Sequence, residues 1–264
     1  MTPALMTRLD GGVLTLTMNR PDKRNALNPE MMQALLDALR DAAGNAAVKV
    51  LVLTGAGDAF CAGGDVGAMA SGNLFAASYE ASVDILRQKM EAPRLLHELG
   101  KPTIARVRGA AAGAGLSLAL ACDLRIADET AQFVTAFAKV GASGDYGGSW
   151  FLARLVGVAK AKELYFTSPR VGAREALALG IVNRVVADGE LDAAVDALVG
   201  SLAAGPSIAL NYMKRNFNAV ADGLPLAALL DLEAARMVRS MQTADHREAA
   251  RAFVEKRAPR FSGE

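Results

Sequence analysis

The chain has 264 residues, 52% of them apolar, and its formal charges cancel to +1. Such a chain can bury a substantial core, which argues against a largely disordered protein, and it carries no broad charged surface for nucleic acid or anionic membrane. Cys61 and Cys122 lack CxxC spacing and His97 and His246 lie far apart, so neither a disulfide framework nor a Cys/His metal site is expected.

Met1 to Gly12 lacks a basic segment followed by an apolar stretch, so a signal peptide is not expected and cytoplasm is the expected location. Val13 to Met18 alternates apolar residues with Thr15 and Thr17, and the turn residues Asn19 to Asp22 follow, which predicts a strand ending in a loop. Asn28, Pro29 and Glu30 then supply an N-cap, a first helical position and an acidic first turn, with Met31, Leu35 and Leu39 on one face. Val48 to Thr54 and Thr103 to Val107 are β-branched apolar runs, each ended by glycine. The longest uncharged stretch, Gly109 to Cys122, is too short to span a bilayer.

From Ser149 onward the pattern is mainly helical, at Ala159–Phe166, Arg174–Leu179, Leu191–Leu202, Ile208–Asn218 and Leu226–Met241. Ile181 to Val186 is the one predicted strand there. An α/β core followed by a helical segment results, with a boundary at Ala204-Gly205-Pro206 that divides the chain into 1–205 and 206–264.

Two loops carry the chemical interest. Phe60 to Asp65 places two glycines before Asp65, which can cap a following helix, and Gly109 to Ser117 repeats the order strand, glycines, helix. Exposed N–H groups at such a helix start suit an oxyanion, although a tight strand-to-helix turn needs the same residues. The P-loop lysine and hydroxyl are missing after Gly115. A dinucleotide fingerprint starting at Gly113 and Gly115 has Leu118 at its third glycine position, leaving Asp128 as a weak imitation of the ribose-binding acid.

These loops, together with Asn19-Arg20-Pro21, Lys23 to Asn28, Val52 to Gly55, Lys101-Pro102, Gln132-Phe133, Gly147-Gly148 and Phe253 to Arg257, resemble the enoyl-CoA hydratase/isomerase, or crotonase, family over nearly the whole chain. The resemblance implies a crotonase-like ββα spiral core with two sheets, followed by C-terminal helices that mediate self-association as a trimer or a dimer of trimers. It implies an acyl-CoA or enoyl-CoA substrate, with coenzyme A entering as part of the thioester and no permanent cofactor; no metal, nucleic acid or membrane partner is expected from the composition.

By the same resemblance the backbone N–H groups of Gly64 and Ala114 would hold the thioester oxygen, with alanine where the family usually has glycine. Lys23, Arg24, Ala26, Ala62, Gly64, Asp65, Val66, Lys256 and Arg257 would contact coenzyme A, although solvated surface charge explains the basic residues equally well. Ser117 and Phe137 stand where hydratases of this family carry two glutamates, which puts a conventional hydration mechanism in doubt. Asp145 matches the single acid of some family isomerases. Its plain alternative is a cap for a helix beginning near Gly148.

Asp145 also matches the nucleophile of aryl-CoA dehalogenases, but Met90 and Phe137 replace their histidine and tryptophan. Phe133, Phe137, Tyr146 and Trp150 can line an acyl pocket or simply pack. The expected activity is double-bond isomerisation with Asp145 as sole acid/base. The alternatives are a hydratase with altered acids and a non-catalytic acyl-CoA-binding protein.

Overall fold

The computed structural model describes residues 2–65, 67 and 78–264. Val66, expected to touch coenzyme A, lies outside the described residues, as does most of the segment after Asp65 that this acid was expected to cap. Strands β1 (Leu5–Asp10) and β2 (Val13–Met18) form an antiparallel hairpin. Gly11 and Gly12 turn it, both at positive φ, as a two-residue hairpin turn requires.

Strands β3 (Val50–Gly55), β4 (Thr103–Val107), β6 (Leu124–Asp128) and β9 (Arg184–Val186) then add in parallel, giving a six-stranded sheet in the order β1-β2-β3-β4-β6-β9. A second sheet joins β5 (Ala110–Ala112), β7 (Gln132–Val134) and β8 (Val171–Gly172). Between these strands run helices α1 (Pro29–Gly44), α2 (Tyr79–Lys89), α3 (Glu91–Glu98), α4 (Ala114–Ala121), α5 (Gly148–Val156), α6 (Val158–Thr167) and α7 (Ala173–Ala178). One strand in the large sheet, one in the small sheet and a helix recur as β4-β5-α4 and β6-β7-α5. The chain thus runs as successive ββα turns, with Cys61 contributing a single parallel bridge to Ala111 of β5.

The continuous apolar character of β3 follows from burial on both faces. Leu51 and Leu53 enter the main core with Leu35 and Leu39 of α1, whereas Val50 and Val52 face Leu191, Val195 and Val199 of α8 (Leu191–Ala203). Each such side chain contributes about 1.5–3 kcal/mol when fully buried. Asn28 caps α1 as expected, its Oδ1 accepting from Met31 N–H at 2.9 Å. The expected strand over Ile181–Val186 is shorter: only Arg184–Val186 pairs, while Ile181 and Val182 turn into the main core.

At Ala204-Gly205-Pro206 the chain bends by 106° between α8 and α9 (Ser207–Ala221). Buried Lys214 anchors α9 to the core, donating to the carbonyls of Leu96 and Lys101 at 3.0 and 3.1 Å and pairing with Asp123 at 2.8 Å. The next helix, α10 (Leu226–Met241), has no buried residue, and Leu226 and Met237 are 70% and 60% exposed. Helix α11 (Ala244–Val254) closes the chain. Among the described residues no single helix is long and apolar enough to cross a membrane.

Candidate active site

The two glycine-rich loops meet because their strands are paired. Cys61 N–H donates to Ala110 O, and Ala112 N–H donates back to Cys61 O, both at 2.9 Å. Gly64 and Ala114 each follow this bridge by three residues, one on each loop. Gly63 sits against the second loop so closely that a Cβ there would stand 2.7 Å from Ala112 O and 3.5 Å from Ala114 N. Gly63 and Gly113 both have positive φ, 89° and 50°, a region costly for other residues.

Ala114 opens α4, so its N–H belongs to the set that no helical carbonyl can satisfy. Among the described residues neither Gly64 N–H nor Ala114 N–H has a hydrogen-bond acceptor in the protein. Two unsatisfied donors on adjoining loops are available to hold an anion between them.

The first loop is braced from the other side by residues 20–27. Buried Asn25, at φ 57°, donates to the carbonyls of Ala56 and Ala59 at 2.9 and 2.7 Å, and its Oδ1 accepts from Arg20 N–H at 2.9 Å. Arg20 in turn donates to Ala26 O at 2.6 Å and pairs with Asp65 at 3.2 Å. Ala62 N–H donates to Arg24 O and Leu27 N–H to Gly63 O, at 2.9 and 2.8 Å. The bracing roles of Arg20 and Asn25 have no local sequence signal, since their partners lie about thirty to forty-five positions away in the chain. The positive φ of Asn25 is the one clue in its residue type.

Asp145 joins this assembly through α4. Ser117, one turn after Ala114, donates its hydroxyl hydrogen to Asp145 O at 3.2 Å or to Gly113 O at 3.3 Å. The Asp145 side chain does not cap α5: that helix has Gly147 at its N-cap position and no side-chain cap bond. Its Oδ1 is buried without a hydrogen-bond partner, and burial pushes the carboxyl up to about 6.

The surrounding side chains are mostly apolar. Phe133, Phe137 and Tyr146 are buried, and the Phe137 ring stacks on Tyr165 with centroids 5.8 Å apart. A Cβ at Gly113 would lie 3.8 Å from the Phe137 ring, so Phe137 overhangs the start of α4. Trp150 instead packs edge-on against His97 and beneath the Arg154 guanidinium, away from this cluster of contacts.

Arg24, Ala26, Ala62, Gly64, Asp65, Ala114 and Asp145 are thus gathered by contacts. Lys23 and Arg24 are exposed at the edge of the first loop. Lys256 and Arg257 follow α11, and among the described residues no hydrogen bond or ion pair joins them to these loops. Arg257 is engaged by Glu248 and Glu255, both at 2.6 Å.

Cys61 is buried and its thiol is pushed up to about 12 by desolvation, as fits a packing residue. Asp128 is fully buried and held by Arg108 at 2.8 Å and by the Thr130 hydroxyl at 2.6 Å, so it is occupied structurally rather than presented to a ribose. Among the described residues no group of three or more His, Cys, Asp or Glu side chains could hold a metal ion.

A spiral core that pairs two glycine-rich loops, with the loop of Asp145 linked to the helix of the second one, defines the class. The chain belongs to the enoyl-CoA hydratase/isomerase family, whose model matches residues 8–264, and its fold is crotonase-like.

It is 41% identical over 254 residues to a Rhodobacter capsulatus protein named "Probable enoyl-CoA hydratase", covering 96% of this chain and 95% of that one. It is 36% identical to the Escherichia coli 1,2-epoxyphenylacetyl-CoA isomerase over the full length of both. The crystal structure of an enoyl-CoA hydratase from Polaromonas sp. JS666 superposes with a TM-score of 0.91 at 35% identity, covering 98% of this chain and 99% of that one.

Proposed function

We propose that this chain isomerises the double bond of a 3-enoyl-CoA thioester, with Asp145 as the sole acid/base. The thioester oxygen accepts hydrogen bonds from Gly64 N–H and Ala114 N–H, which makes the C2 protons acidic. The Asp145 carboxylate removes one of them, the C3–C4 π electrons delocalise into a dienolate, and the same carboxyl returns the proton at C4. The product is a 2-enoyl-CoA, with no net gain or loss of atoms.

The observation that carries this reading is the half-buried carboxyl of Asp145, whose Oδ1 has no hydrogen-bond partner and whose pKa is raised to about 6, where it can both take and give a proton near neutrality. The two N–H groups support the dienolate because preorganised donors act on charge that develops only during reaction. Ser117 and Phe137 offer no second carboxylate at the positions where the resemblance expects one.

A second reading is hydration by a site with altered acids, which the matched hydratase/isomerase family includes, although the Ser117 hydroxyl is directed to the main-chain carbonyls of Gly113 and Asp145 and lends it no direct support. Assays with 3-enoyl, 2-enoyl and arylacetyl CoA thioesters separate the two. Conversion of 3-enoyl to 2-enoyl without 3-hydroxyacyl product supports isomerisation; hydroxyacyl product from 2-enoyl supports the second reading, and absence of all turnover supports an acyl-CoA-binding protein.

In this reading coenzyme A lies along the first loop, with Lys23 and Arg24 near its phosphates and the carbonyls of Ala26 and Ala62 as polar contacts. Asp65 acts through Arg20, bracing that loop. Lys256 and Arg257 complete the nucleotide end in the assembled protein. Residues 206–264 form the trimerisation segment of a trimer or dimer of trimers, which the exposed apolar side chains of α10 support.

A further inference from the structure

Tyr165, on α6, is held against both ends of the loop that carries Asp145. A Cβ at Gly144 would stand 2.9 Å from its Cε1, and a Cβ at Gly148 would stand 2.5 Å from its hydroxyl oxygen. The face of its ring is fixed by Phe137, nearly parallel at an interplanar angle of 16°. The phenol therefore spans the Asp145 loop and has little freedom to leave it.

Despite that placement, the Tyr165 hydroxyl makes no hydrogen bond among the described residues, and Asp145 Oδ1 is buried without one either. An unpaired hydroxyl and an unpaired carboxyl in one half-buried spot are mutually complementary, because a phenol donates and an ionised carboxylate only accepts. Burial, followed by the charge of Asp145, holds the Tyr165 phenol up at about 12, so it keeps its proton throughout the neutral range.

Deepening the proposed acid/base role of Asp145, we propose that Tyr165 is a positioning residue whose hydroxyl donates to the Asp145 carboxylate once that group ionises. This bond steadies the anion and sets how strongly it holds a proton. Ser117 does not share the task, since its hydroxyl hydrogen is directed to main-chain carbonyls.

The test is a ¹³C NMR titration of the aspartate carboxyls in the unliganded, assembled protein, with the Asp145 signal assigned by its loss in Asp145→Asn. Removing a donor to a charged acceptor disfavours the ion, so Tyr165→Phe should raise the Asp145 pKa by roughly one unit. Ser117→Ala should leave it in place. Fluorination of the Tyr165 ring, which strengthens the donor and keeps the shape, should lower it.

An unchanged Asp145 pKa in Tyr165→Phe, or no response to fluorination, overturns the assignment. Because the titration needs no turnover, the outcome is independent of whether the isomerase reading holds. The acid limb of kcat/KM with 3-enoyl-CoA should move upward in step with the carboxyl, which a merely space-filling Tyr165 would not cause.

Discussion

Cys61 is in contact with Gly115 so closely that a Cβ on Gly115 would stand 2.5 Å from Cys61 O and 2.7 Å from its Sγ. The first turn of α4 is thereby seated directly on the bridge that joins the two loops, and the relative position of Gly64 and Ala114 depends on it.

Gly115→Ala should therefore destabilise the protein. Alanine improves helix propensity by about 1 kcal/mol, but overpacking against a carbonyl oxygen and a buried sulfur costs about 1–3 kcal/mol. A lowered denaturation midpoint together with reduced turnover is expected. A variant of normal stability and activity would show that the bridge tolerates displacement.

Asp145→Asn should stabilise the fold at alkaline pH. The folded carboxyl, near 6, binds its proton more tightly than an unfolded aspartate near 3.8, so its stabilising share is complete below about pH 4 and is lost as pH rises through 6. After discounting for partial exposure, the variant should gain about 1–2 kcal/mol over the parent at pH 8 and nothing at pH 4. Denaturant unfolding at both pH values measures it; a variant less stable at pH 8 contradicts the burial argument.

Lys23→Ala should weaken coenzyme A binding about two- to fivefold at low salt and hardly at all near 1 M salt, because exposed charge attraction is screened over a few ångströms there. Lys256→Ala should behave the same way only in the assembled protein. Titration calorimetry at the two ionic strengths decides, and a salt-independent Kd change removes these residues from the phosphate site.

Leu230→Glu combined with Met237→Glu should leave each chain folded, since these side chains are 54% and 60% exposed, while breaking self-association. Sedimentation should show the parent as a trimer or hexamer and the variant as smaller species. Equal masses would move the interface away from α10.

Much of this architecture is legible in the sequence wherever burial imposes a pattern. The strand Thr103–Val107 is read with its observed bounds, and α1 with its cap and buried face, because both are dominated by core packing. Strand β1 has one buried residue of six, so no alternation announces it. Strand β5 is three alanines, poor strand formers held by pairing with β7 and Cys61, and a local reading takes them as loop. Helix α3 contains Pro93, a residue that breaks helix interiors, but it stands in the first turn, where no helical carbonyl would accept its N–H. The two loops are legible from glycine placement, while Gly64 and Ala114 as donors come only from the family resemblance; Arg20, Asn25 and Tyr165 are not legible, because their significance depends on partners brought close only by the fold.

In the proposed mechanism one carboxyl carries the proton between C2 and C4, so the turnover of Asp145→Asn with a 3-enoyl-CoA is the sharpest test. The substitution keeps the side chain's shape and the main-chain contacts to Ser117 and Gly148. Turnover should fall by about 10²–10⁴ with coenzyme A binding and oligomeric state retained, while Ser117→Ala changes it far less. Near-normal turnover by an intact Asp145→Asn assembly would contradict the mechanism.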